Sequence, residues 1–194
     1  MKRIDVQRKP IDKKDYFRRT AQLSDVSRHI NEDVIIYHDN KPILLYTILK
    51  KKPTDVRWAV KNINYIKGKR THGLTHTSAV FGYNPRQENR RDYCTASAMG
   101  TTHPKQHYVI SRYAKEISKY YEEHFPKVYT DHKNKVKEKV KEQWVINGSV
   151  FTSGIVNKNN QLKYHYDSGN FKNVFSNMIV FKGDVLGGHL VIPE

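Results

Sequence analysis

The chain has 194 residues, 37% hydrophobic and 11% aromatic, enough for one domain or one and a half with a modest core, which excludes wholesale disorder. A formal net charge of +16 and a pI near 9.8 point to a polyanionic partner, although a lysine-rich composition is also that of an AT-rich genome. No run of about 18 apolar residues exists to cross a membrane, and the single cysteine, Cys94, excludes internal disulfides and multi-cysteine zinc sites and fits a reducing cytoplasm.

Residues 1–20 are basic and poor in apolar pattern. With no apolar stretch behind the charge they read as an arm or a loose first helix, not a secretory signal. Asp33 to Leu49 reads as a β-hairpin, two apolar, β-branched runs around the turn residues Asp39-Asn40. Thr54 and Asp55 can cap a short helix through Ile63, with Val56, Ala59, Val60 and Ile63 on one face. Lys67 to Met99 shows no sustained period and is expected to be loop with short elements. Pro104 opens an amphipathic helix that ends before Pro126, with Val109, Tyr113, Ile117 and Tyr121 as its apolar stripe. A second helix is expected from near Asp131, carrying Val136, Val140 and Trp144. From Trp144 onward the pattern is that of strands: VINGSVFTSGIVN and LKYHYD as a hairpin around KNNQ, then NVFSNMIVF and HLVIPE. Helices first and strands afterwards indicate an α+β layout.

The charge is uneven. Lys50 to Arg91 holds 11 Lys and Arg against Asp55 and Glu88, a net of +9, whereas Val145 to Glu194 holds four lysines against three acids, a net of +1. Arg86, Arg90 and Arg91 alternate with Tyr83 and Tyr93, the basic and aromatic mixture of a nucleic-acid surface. Together with Lys67, Lys69 and Arg70 they form the expected contact set for nucleic acid. Aromatics buried beneath solvated arginines would give the same composition.

KYHYDSGNF contains the chain's one His-x-Asp, His165 and Asp167. Alone it is weak, since 10 histidines and 11 aspartates in 194 residues produce such pairs by chance. Residues i and i+2 of a strand face one side, so both side chains can reach one metal while Tyr166 points away. Ser-Gly-Asn then turns the chain. A surface histidine followed by a turn-forming aspartate is the plain alternative. THGLTH places two histidines four apart, but Gly73 between them argues for a loop. Gly-rich phosphate loops, Gly-x-Ser-x-Gly and His-Glu-x-x-His are absent, which leaves nucleotide hydrolysis, the common serine esterase layout and zincin chemistry unsupported.

Taken in order, TSGIVN, YHYDSGN, the Gly-Gly-x-Leu-Val-x-Pro-Glu segment ending at Glu194, and the upstream FGYNPR and RRDYC resemble the first half of the double-stranded β-helix core of Fe(II)/2-oxoglutarate dioxygenases. The resemblance spans roughly Phe81 to Glu194. It is to the nucleic-acid-modifying branch that includes the TET and J-base (JBP) oxygenases and their phage relatives. With the basic, mainly helical segment that the pattern gives over 1–143, including the hairpin near 33–49, it implies the first strands of a jelly-roll core over 144–194. It implies His165 and Asp167 as catalytic iron ligands, with 2-oxoglutarate as co-substrate and a base in DNA as target, the thymine methyl first and RNA as an alternative. The family's distal histidine and its 2-oxoglutarate arginine lie on later strands. No arginine follows Arg112, and His189, the one histidine after His165, follows an early Gly-Gly turn. A complementary C-terminal fragment or subunit is therefore expected to supply both. The alternative is a non-catalytic nucleic-acid-binding protein with a relic iron pocket.

Overall fold

The computed structural model describes residues 1–7, 12–69, 75–84, 95–146, 148–160, 162–165, 170–183 and 189–192. The chain is mixed α and β and divides into two compact units: residues 1–52 with 161–166 and 184–194, and residues 53–160 with 167–183.

In the first unit β1 (Lys2–Asp5) pairs in parallel with β2 (Val34–His38), which pairs antiparallel with β3 (Lys41–Tyr46). The β2–β3 turn is Asp39-Asn40, both with positive φ (49° and 58°), the conformation that lets a two-residue turn follow the strand twist. Val34 is fully buried, and the Arg3 guanidinium sits 4.1 Å over the Tyr37 ring in the neighbouring strand. A short helix, α1 (Lys13–Tyr16), and a 3₁₀ turn at Leu23–Asp25 complete the regular elements of this unit.

The second unit begins with α2 (Thr54–Lys61), which stops short of the expected end at Ile63; Val56 and Ala59 on the helix and Ile63 just beyond it are buried. Its N-cap is Pro53, without a side-chain cap; Asp55 instead accepts the Val56 N–H and pairs with Arg112 at 2.7 Å. The stretch expected to be loop then supplies the sheet: β4 (Ile66–Lys69), β5 (Thr75–Asn84) and β6 (Thr95–Ala96). Ala79 and Phe81 of β5 pack with Ala59, Ile63, Met99 and Ile110 in the core. The period of two is hidden because Thr, Ser, Ala and Gly fill most of the other positions. A short helix, α3 (Ala98–Thr102), leads into α4 (Pro104–His124) and α5 (Pro126–Lys139), each with proline in its first turn, where the missing N–H costs nothing.

Two helical stripes differ from the sequence reading. On α4 the buried positions are Ile110, Ala114, Ser118 and Tyr121 rather than a stripe through Tyr113 and Ile117. Ala114 and Ser118 are small enough for close approach, and Ser118 Oγ accepts the Val150 N–H at 3.1 Å. α5 starts at Pro126 and buries Tyr129, His132 and Val136.

The described residues form no jelly roll. Within 144–194 the strand among them is β7 (Ser153–Asn157), and its antiparallel partner is β5, which precedes the helices. Helices and sheet are thus not segregated along the chain, and NVFSNMIVF (173–181) and the described part of HLVIPE (189–192), read as strands, have no strand structure. A strand needs a partner for its backbone groups, and Met178 and Leu190 instead remain 62% and 63% exposed.

Candidate metal ligand and nucleic-acid interface

His165 lies in the first unit, in a segment tied to the N-terminal arm. Arg18 N–H donates to the Tyr164 carbonyl and Tyr164 N–H to the Arg19 carbonyl, both at 2.9 Å, so two backbone bonds join the two short stretches. The Tyr164 hydroxyl donates to Asp25 at 3.2 Å, and Arg19 pairs with the same carboxylate at 2.6 Å. Tyr16 stands edge-on to Tyr164 with ring centroids 5.5 Å apart. The bond from Arg19, with the Gln22 N–H behind it, holds the Asp25 carboxyl below its usual range. Burial, then the bond to Asp25, pushes the Tyr164 phenol up.

Next in the chain, the exposed His165 ring places Nδ1 2.7 Å from the Lys163 carbonyl. A carbonyl only accepts, so Nδ1 donates in this bond and the backbone carbonyl orients the ring, as it does for many metal-binding imidazoles. The arm residues Arg18, Arg19 and Asp25 that secure the neighbouring Tyr164 carried no signal in the sequence, since a contact spanning 139 positions leaves no local pattern.

Asp167 lies outside the described residues. Among the described residues no group of three or more His, Cys, Asp or Glu is placed to hold a metal ion. His189 is also in the first unit, its ring 6.2 Å and edge-on from that of His29.

The interface residues belong to the second unit. Lys67 is exposed on β4, and Lys69 ends the same strand. Arg70 lies outside the described residues between β4 and β5, and so do Arg86, Arg90 and Arg91 between β5 and β6. Along the chain these cations therefore flank both ends of β5.

Gly82, the middle of the Phe-Gly-Tyr segment, has φ +77°, and a Cβ there would lie 2.5 Å from the Thr152 carbonyl oxygen. Its N–H donates to His107 Nε2 at 3.1 Å, and burial lowers the His107 pKa, so the ring stays the neutral acceptor this bond needs. The segment is thus a structural join between β5, α4 and the start of β7.

The two faces of the sheet differ among the described residues. Directly paired residues point the same way, and Ala79–Val156 and Phe81–Gly154 face the core under α2 and α4. The opposite face carries Ile66, Val80 and Ile155, with Ile66 67% and Ile155 56% exposed. Among the described residues no strand pairs with β7 on its side away from β5.

None of the described helices is long and apolar enough to cross a membrane. The chain matches no protein-family model, no curated protein and no solved structure.

Proposed function

We propose that the chain is a fragment or subunit of a nucleic-acid-modifying Fe(II)/2-oxoglutarate dioxygenase that hydroxylates a base, in the first place the thymine methyl in DNA. The observation that carries this reading is the His-x-Asp of His165 and Asp167, whose flanking segments resemble that branch in order, with the His165 ring held through Nδ1 at the Lys163 carbonyl. His165 Nε2 and the Asp167 carboxylate would hold the iron. When bound, Fe(II) with O₂ and 2-oxoglutarate supplies the oxidant, and the balance is one C–H converted to C–OH as 2-oxoglutarate becomes succinate and CO₂. The target methyl lies in a base stack, so the base must be extruded to reach the site. Lys67, Lys69, Arg70, Arg86, Arg90 and Arg91 would hold the phosphates meanwhile.

A third protein ligand and a 2-oxoglutarate arginine come, in this reading, from a complementary C-terminal fragment or subunit that completes the jelly roll. The exposed Ile66 and Ile155, and the edge of β7 that no strand among the described residues pairs, support such a complement, because exposed apolar sheet residues and a bare edge are what folded proteins avoid. The DNA downstream of the Glu194 codon should then encode a His…Arg strand pair.

The test is succinate release by the completed protein that requires Fe(II), 2-oxoglutarate and DNA together and is abolished by Asp167→Ala. The second reading, a non-catalytic nucleic-acid-binding protein, rests on the net charge of +16. Steeply salt-dependent DNA binding with no succinate in the presence of the complement would favour it.

A further inference from the structure

A cleft of about 310 Å³ lies in the second unit beside α4, lined by Tyr108, Ser111, Arg112, Lys115 and Ile146. That volume falls at the lower end of the roughly 300–1,000 Å³ of ligand clefts. The first four residues recur at i, i+3, i+4 and i+7, so one face of the helix presents two hydroxyls and two cations side by side.

Each group is held or left in a way that suits an anion. Asp55 bonds one N–H of Arg112 at 2.7 Å, which orients a guanidinium that has five N–H donors. The Lys115 stem crosses Gly148, where φ is +74° and a Cβ would lie 2.7 Å from Lys115 Cδ. Glycine at 148 therefore both permits the turn and leaves the lysine its path. Ser111 Oγ is buried and has no hydrogen-bond partner among the described residues, a state that costs free energy until an acceptor, a donor or a water completes it. No lining residue is acidic, and Asp55 is the carboxylate that bonds Arg112. Tyr108 is 65% exposed at the same cleft, an aromatic face beside two cations.

We propose that this cleft binds a nucleotide of a nucleic-acid strand, its phosphate between Lys115 and Arg112 and its base against the Tyr108 ring. The site rests on the nucleic-acid part of the function proposed above and adds a contact on α4 to the cations that flank β5 in the chain. Free phosphate shares the anion chemistry but has nothing to place on Tyr108.

The experiment titrates a labelled single-stranded oligonucleotide into the full chain by fluorescence anisotropy at two salt concentrations, with inorganic phosphate as a competitor. Lys115→Gln and Tyr108→Ala should each weaken binding about tenfold, from the lost phosphate contact and the lost stacking surface. Lys137→Gln on exposed α5 should cost no more than about twofold, the general effect of one charge. Both cleft side chains are exposed, and unchanged helical circular dichroism verifies folding. Wild-type binding that neither cleft variant weakens overturns the cleft while leaving nucleic-acid binding standing. A Lys115→Gln loss with no Tyr108→Ala loss, together with competition by inorganic phosphate, overturns the nucleotide in favour of a simple phosphate site. Absence of any salt-dependent oligonucleotide binding overturns both the cleft and the reading on which it rests.

Discussion

The Phe81 ring lies across Gly154, its cross-strand partner, in the space that a Cβ at 154 would occupy. One residue pair thus joins the two strands and fixes how closely β7 can lie under the core ring. Gly154→Ala forces the ring off its rotamer or the strands apart, at a cost of about 1–3 kcal/mol. Urea unfolding should show the loss. Adding Phe81→Leu should recover part of it, because neighbouring substitutions that share one space are not additive. Full additivity would mean the two residues do not meet.

A second prediction concerns His132, buried on α5 among Tyr121, Phe151 and Phe171 with its Nδ1 unpartnered among the described residues. Burial first, and the Lys135 charge second, hold its pKa below the usual 6.5. In the unfolded chain the ring gains a proton as pH falls past 6.5, while the folded ring stays neutral. The unfolded state then binds more protons, so this contribution is full above pH 6.5 and is lost as pH falls toward the lowered folded value. Unfolding midpoints should decline over that window, and His132→Phe should flatten the decline. A residual slope is expected from His107, whose pKa burial also lowers. An unchanged slope in His132→Phe would count against the buried neutral ring.

The segment after the His-x-Asp is fastened to the helices. Phe175 N–H donates to the Tyr121 hydroxyl at 3.2 Å, Phe175 packs on Phe125 with centroids 4.8 Å apart, and Lys135 donates to the Lys172 carbonyl at 2.9 Å. Tyr121→Phe removes one hydrogen-bond partner and should cost about 1 kcal/mol. The Phe175 amide should then exchange faster with solvent than in the unaltered chain, while α2 amides keep their rates. Equal acceleration everywhere would show a global rather than a local effect.

Arg19, Asp25 and Tyr164 form one network next to His165. Asp25→Asn should weaken the hold on both partners and shift the His165 ring resonances through the adjacent Tyr164. Because the bond from Arg19 lowers the Asp25 pKa, the same shift should appear in the unaltered chain on acidification, once the carboxylate is protonated. Ring resonances insensitive to both changes would separate the arm from His165.

Under the proposed function, His165 and Asp167 are two protein ligands where the site needs three. The chain alone should bind Co(II), a spectroscopic stand-in for Fe(II), only weakly. Affinity should rise when the complementary fragment is added, and His165→Ala should remove the gain. Tight binding by the isolated chain that His189→Ala abolishes would instead make His189 the third ligand.

How much of this was legible depended on whether the signal was local. Asp39-Asn40 between two apolar runs marks a hairpin because only a positive-φ pair turns so tightly, and Pro104 and Pro126 mark helix starts because proline lacks the N–H that the first turn leaves unused. The net charge, the single cysteine and the His-x-Asp are likewise properties of the chain itself. Tertiary structure alone decided that β5 is a ten-residue strand, since Ala79 and Phe81 become a core face only when α2, α3 and α4 cover them. It chose Ser118 over the larger apolar residues of α4 because the Val150 N–H needed an acceptor there. Nor could periodicity reveal that Arg18 and Arg19 would bond Tyr164, or that the Lys163 carbonyl would meet the His165 Nδ1. Periodic pattern reports which face a residue occupies along its own element; which distant backbone meets it depends on packing, and no local pattern carries that.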